Sequence, residues 1–203
     1  MLTIPTNLIT PDGWIRVLGI DPSTSNMGIT MIDVNMFKEE KFKLVYVNTI
    51  YGDKVNYAIP DQFNDEDHTG VEARCYGLAR AFKQLAELYS PDVVTCEDNF
   101  LGASADTFKQ LIKCVNLLRE YANKLDLHMS FVLPNLAKDI VGANFRGTQK
   151  EDVIRGIQTY PWLNSEGFDL TVLDEHSADS VAIALYRCEQ IAKHYKVFHY
   201  GAS

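Results

Sequence analysis

The chain has no cysteine pair on which a metal or redox motif could be built. Its four cysteines, Cys75, Cys96, Cys114 and Cys188, are widely spaced and form no Cys-x-x-Cys. That excludes a zinc ribbon or a dithiol motif and leaves reduced, buried thiols as the expectation. Positive charge is also in short supply: 19 Lys and Arg against 27 Asp and Glu give a net charge of −8. Such a chain does not coat nucleic acid by bulk electrostatics, although a local basic strip can still hold a phosphate backbone. No apolar run exceeds strand length, so no membrane span is expected. The first residues lack the basic start and long apolar stretch of a signal peptide, which makes a cytoplasmic location the expectation. Repeats and low-complexity tracts are absent. With 46% hydrophobic residues, residues 1–203 are read as one globular domain with a full core.

What is present is an ordered series of strand and helix signals. Residues 1–13 read as an irregular lead-in closed by the turn former Pro11-Asp12-Gly13. Strands are predicted over 15–21, 28–34 and 43–50, the first two joined by the tight turn at 22–26. In the third, alternation puts Leu44, Tyr46, Asn48 and Ile50 on one face and Val45, Val47 and Thr49 on the other. Residues 51–69 form a long acidic loop. A helix follows over 71–89, with Leu78, Phe82, Leu85 and Leu88 inward, then a strand over 93–97. A second helix spans 104–124, with Phe108, Leu111, Ile112, Val115, Leu118 and Tyr121 on a wide apolar face. A strand over 127–133, short helices over 134–141 and 148–159, and a final helix over 175–194 complete the series. An antiparallel meander followed by alternating strands and helices predicts an α/β fold with a mixed sheet covered by helices.

Three segments of this series carry acids at telling places: Val17-Leu18-Gly19-Ile20-Asp21, Val93-Val94-Thr95-Cys96-Glu97, and His176-Ser177-Ala178-Asp179 at the start of the last helix. Each has an ordinary explanation on its own. Asp21 suits an Asx-type turn, Glu97 a solvated strand end, and Asp179 the positive end of a helix dipole. Together, carboxylates brought to one point by a folded sheet make a hard-oxygen site for hydrated Mg²⁺ or Mn²⁺, and such sites usually act on phosphate. Glu175 and His176 share a helix face with Asp179.

In order and spacing these segments resemble the RuvC family of Holliday-junction resolvases, from about residue 15 to 190. Val17 to Gly28 is similar to the family's first motif, with Ser23 where a Gly is usual. Glu97-Asp98-Asn99-Phe100 is similar to the second. Pro134 to Gly142, followed by Gln149-Lys150, resembles the basic third motif, and His176-Ser177-Ala178-Asp179 resembles the last.

The resemblance implies a ribonuclease-H-like fold, with a five-stranded mixed sheet and helices on both faces. It implies a two-metal site of Asp21, Glu97, His176 and Asp179, holding two Mg²⁺ or Mn²⁺ ions. The implied activity is paired, symmetric cutting of four-way DNA junctions by a homodimer, leaving 5′-phosphate and 3′-hydroxyl ends. Phe100, Lys138, Arg146 and Lys150 are the implied DNA contacts. Each also has a plainer reading, a core aromatic for Phe100 and a solvated helix surface for the lysines. The apolar face of the 104–124 helix is either core or the dimer interface. A nuclease of the same fold acting on other branched DNA or on RNA–DNA hybrids, and a non-catalytic junction-binding module, are the alternatives. A sugar-kinase-type phosphotransferase is disfavoured, since no Asp-x-Gly phosphate loop follows Gly13.

Overall fold

A computed structural model describes residues 13–55, 70–98, 105–145 and 147–200, with side chains to 194. The lead-in and most of the 51–69 loop therefore lie outside the described residues. Three strands open the fold: β1 (Trp14–Asp21), β2 (Asn26–Asn35) and β3 (Phe42–Tyr51). There follow α1 (Gly70–Tyr89), β4 (Val93–Glu97), α2 (Ala105–Lys124), β5 (Met129–Val132), α3 (Pro134–Ile140) and α4 (Lys150–Gln158). A two-residue β6 (Leu163–Asn164), a short 3₁₀ turn and α5 (Glu175–Tyr200) complete the chain. The sheet order is β5-β4-β1-β2-β3-β6. β1, β2 and β3 pair antiparallel, while β4 joins β1, β5 joins β4, and β6 joins β3 in parallel. The five expected strands are present, with β6 as a minor sixth.

The alternation of side chains along β1 and β2 builds two cores. Ile15, Val17, Ile32 and Val34 face α5, α3 and α4, whereas Leu18, Ile20, Ile29 and Met31 face α1 and α2. The sheet is thus covered on both faces, as expected. Of the inward residues predicted for the last helix, Ala178, Val181, Ala182, Leu185 and Cys188 are buried in the first core, and Ala192 is partly buried against it. The four cysteines are buried free thiols.

Three details depart from the sequence reading. In β3 the pairing slips, with Met31 opposite Tyr46 but Ile32 opposite Leu44, so Val45 is an extra residue in the ladder. This bulge reverses the alternation, and Leu44 and Ile50, expected on one face, belong to opposite cores. Leu88, expected inward, is 72% exposed, because Tyr89 takes the inward place and leaves Leu88 about a quarter-turn around α1. In α2, Val115 and Leu118 are buried, but Phe108, Leu111 and Ile112 are only partly buried and, among the described residues, belong to neither core.

The two ends of the sheet differ in character. At the start of β1, Arg16 donates to both Asp33 oxygens (2.7 and 2.8 Å) and to the Tyr89 carbonyl, while its backbone N–H donates to Asp92 (2.7 Å). That end is a closed structural clamp. At the other end, β1 and β4 both finish in acids.

Candidate active site

The two central strands deliver their acids side by side. Ile20 of β1 pairs with Cys96 of β4, and each strand ends one residue later, at Asp21 and Glu97. On β1, Val17 points to the α5 core and Ile20 away from it; on β4, Val93 points to that core and Cys96 away. Period two therefore turns Asp21 and Glu97 toward α5.

The start of α5 is brought to the same spot by two glycines. Gly28 pairs with Asp21 across the β1–β2 hairpin, and a Cβ on it would lie 1.8 Å from the His176 carbonyl oxygen. A Cβ on Gly19 would lie 2.6 Å from the Ser180 carbonyl oxygen and 2.8 Å from the Ala184 Cβ. Only residues without side chains let the helix come this close. The contact is fixed by Thr30, whose hydroxyl lies 2.7 Å from that of Ser180, which in turn donates to the Ser177 carbonyl (2.8 Å).

Asp174 anchors the helix end from the β3 side. Its carboxylate accepts from the Ser177 N–H (2.9 Å), the Thr49 hydroxyl (2.5 Å) and the Tyr51 hydroxyl (3.1 Å), and its own N–H donates to the Ser177 hydroxyl (2.9 Å). This is a reciprocal N-terminal cap tied to an adjacent strand. Partial burial alone would raise the Asp174 carboxyl, but the bonds from Thr49, Ser177 and Tyr51 outweigh it and hold the group at about 2.

With the helix so placed, His176 Nδ1 sits 2.6 Å from Asp21 Oδ2. Burial raises the Asp21 carboxyl, and the bond to Asp21 raises the His176 imidazole. Burial, then the charges of Asp21 and Asp179, push Glu97 up to about 8. Burial pushes Asp179 up to about 6 against the pull of Lys138, with Asp21 and Glu175 adding to the rise. Lys138, on α3, places its ammonium 3.8 Å from Asp179 Oδ2.

The four predicted residues thus converge on one rim within electrostatic reach of one another. Among the described residues, no three His, Cys, Asp or Glu side chains form a ready-made metal cage. The donor set nevertheless fits a divalent cation. Burial raises the proton affinity of all three carboxyls and the charge of Asp21 adds to the rise at Glu97 and Asp179, and such a group ionises fully only beside added positive charge. His176 keeps its Nε2 free of the Asp21 bond, and the carboxylate behind Nδ1 orients the ring as metal-binding histidines usually are.

Of the expected DNA contacts, Lys138 lies at the rim on Asp179, and Lys150 lies beside it, ion-paired with Glu175. Phe100 and Arg146 fall outside the described residues. Two residues carry weight that the sequence reading did not assign them. Asp174 is the anchor of α5, and its Asp-x-x-Ser spacing before an apolar helix is a legible capping signal. Glu175 is the partner of Lys150, which no sequence pattern reveals, because the two are 25 residues apart.

No family model matches the sequence, and no curated protein matches it. Solved structures do match the fold. RuvC from T. thermophilus in complex with a Holliday junction substrate superposes with a TM-score of 0.67 at 16% identity, covering 89% of this chain and 97% of that one. The yeast mitochondrial Holliday junction resolvase Ydc2 superposes with a TM-score of 0.62 at 16% identity, covering 94% of this chain and 84% of that one. The molecule is therefore an α/β protein of ribonuclease-H-like architecture, with an acidic site at the carboxyl ends of its central strands. More particularly, its fold is that of the RuvC-type resolvases over nearly its whole length.

Proposed function

We propose that this protein is a RuvC-type, divalent-metal-dependent endonuclease that resolves four-way DNA junctions. The observation that carries the reading is the convergence of Asp21, Glu97, His176 and Asp179 at one rim, in a fold that runs the length of two junction resolvases. Asp21, Glu97 and Asp179, with the His176 imidazole, would hold two ions. Those ions would supply the Lewis acidity that activates water and stabilises the leaving oxygen in an in-line displacement at phosphorus.

The chain's own groups prepare that chemistry. Gly28 and Gly19 seat α5 on the sheet, and Asp174 fixes its first turn, so that His176 and Asp179 are held against the strand-end acids. Lys138 and Lys150 offer ammonium groups at the rim for the phosphates flanking the cut. Hydrolysis breaks the bond from phosphorus to the 3′ oxygen, and water supplies the new oxygen of the 5′-phosphate and the proton of the 3′-hydroxyl. Phe108, Leu111 and Ile112 on α2, which among the described residues pack into neither core, support pairing of two copies through this helix. Two sites related by a two-fold axis suit two symmetric cuts.

The deciding experiment offers a labelled four-way junction, a three-way branch and a linear duplex, each in Mg²⁺ and in Mn²⁺. Paired symmetric nicks on the four-way junction alone are expected. Equal cutting of the three-way branch would make the protein a general structure-selective nuclease, and binding without cutting would make it a non-catalytic junction-binding module.

A further inference from the structure

Lys150 is the first residue of α4 and Glu175 the first of α5, and their side chains form an ion pair between the two helix starts. An ammonium at the positive end of a helix is poorly placed, and a carboxylate there is well placed. Lys150 is thus held where it is by Glu175 rather than by its own helix. Both side chains are largely exposed, 64% and 43%. An exposed pair of this kind is worth a factor of about five or less, so a competing anion displaces it readily. Glu175 also stands directly before His176, and its charge acts on both Asp21 and Asp179. Lys138, the other ammonium at the rim, is already turned on Asp179.

We propose that the Glu175–Lys150 pair is an exchangeable latch that couples DNA binding to filling of the metal site. This rests on the reading of the rim as a DNA-cutting site. Glu175 is a positioning residue: it parks Lys150 at the edge of the acids until a backbone phosphate takes the ammonium. The freed Glu175 then adds an uncompensated negative charge beside Asp21 and Asp179, and the demand for a divalent cation rises. DNA and cation each strengthen the binding of the other, as linkage requires.

The test is a double-mutant cycle on junction affinity, measured with a labelled four-way junction in EDTA so that no strand is cut. Glu175→Gln releases Lys150 and is expected to tighten binding about three- to five-fold in the wild-type background. In a Lys150→Gln background the same change is expected to shift binding less than about two-fold, because there is no ammonium to release. Lys150→Gln alone weakens binding and lowers the slope of log affinity against log salt by about one. An equal effect of Glu175→Gln in both backgrounds, or no effect in either, overturns the latch. A second arm follows Mn²⁺ binding by electron paramagnetic resonance, with a junction carrying uncleavable phosphate analogues. Wild-type protein is expected to bind Mn²⁺ several-fold tighter with the junction than without, and Glu175→Gln to lose most of that gain. An undiminished gain in the variant also overturns the proposal. If wild-type protein neither binds nor cuts junctions, the nuclease reading itself fails; normal cutting with an additive cycle removes the latch alone.

Discussion

The carbonyl oxygen of His176 occupies the space that a side chain on Gly28 would need, 1.8 Å from the ideal Cβ position. Gly28 is also the hairpin partner of Asp21. One missing side chain therefore sets the distance between a strand-end acid and the histidine that binds it.

Replacing Gly28 by Ala tests that relationship. The added methyl meets backbone, which cannot rotate away, so α5 must lift at its first turn. A stability loss of about 1–3 kcal/mol is expected, together with loss of junction cutting beyond what the lower stability explains. Thermal unfolding and cleavage assays at a temperature where the variant is folded separate the two effects.

Asp179→Asn removes a charge without changing shape. Cutting should fall by about a thousand-fold or more, while junction binding persists. Because Asp179 helps hold Glu97 up at about 8, the Glu97 carboxyl should titrate lower in the variant, which carboxyl carbon NMR reads directly. An unchanged Glu97 titration would show that burial and Asp21 hold it up without Asp179.

Stability should depend on pH with a sign set by the raised groups. Glu97 titrates near 8 and Asp179 near 6 in the fold, above their ordinary values of 4.5 and 3.8. A carboxyl whose folded value is raised stabilises the fold fully below its unfolded value and loses that contribution as pH rises through the folded one. Metal-free protein should therefore lose stability from about pH 4 up to about pH 8, through these two groups. Added Mn²⁺ should restore it, most strongly at the upper end, since binding must release the protons. Melting curves over this range, with and without Mn²⁺, are the check, and a Glu97→Gln variant should flatten the metal-free dependence.

Asp174 should show the opposite dependence. Held at about 2, its contribution is present above its ordinary value of 3.8 and disappears as pH falls through about 2. Asp174→Ala should cost about 0.5–2 kcal/mol, as losing a helix cap does. It should also reduce cutting, because the turn bearing His176 loses its tie to Thr49 and Tyr51. Asp174→Asn, which keeps a capping oxygen, should recover most of the stability.

The imidazole in the site predicts metal preference. Neutral nitrogen suits Mn²⁺ better than Mg²⁺, so faster cutting in Mn²⁺ is expected. Equal rates in the two ions would mean that His176 does not ligate. In that case a His176→Gln variant should leave the ratio of the two rates unchanged.

Much of this architecture can be read in the sequence because strand and helix periods are strong where burial is complete. The apolar runs of β1 and β4 and the Ala-rich face of α5 define all three elements, with Asp21 and Glu97 at the strand ends and Asp179 early in the helix. The reading fails where local pattern meets long-range geometry. Nothing near Val45 announces the bulge, because a ladder slip depends on the partner strand. Leu88 has the right spacing for burial but loses the place to its neighbour Tyr89. The pairs Lys150–Glu175 and Thr49–Asp174 join residues 25 and 125 positions apart, and only folding brings them together. Phe100 and Arg146 lie outside the described residues, so the structure leaves them as the sequence does.

His176 and Asp21 are 155 positions apart. The rim is therefore gathered from separate stretches of sequence: Asp21 ends β1, Glu97 ends β4, and His176 and Asp179 lie on α5. During synthesis, the acids cannot gather until α5 has left the ribosome. A chain broken off before α5 would carry the two strand-end carboxylates and no helix to complete them. The long-range closure that slows folding also leaves the rim incomplete until α5 has packed on the sheet.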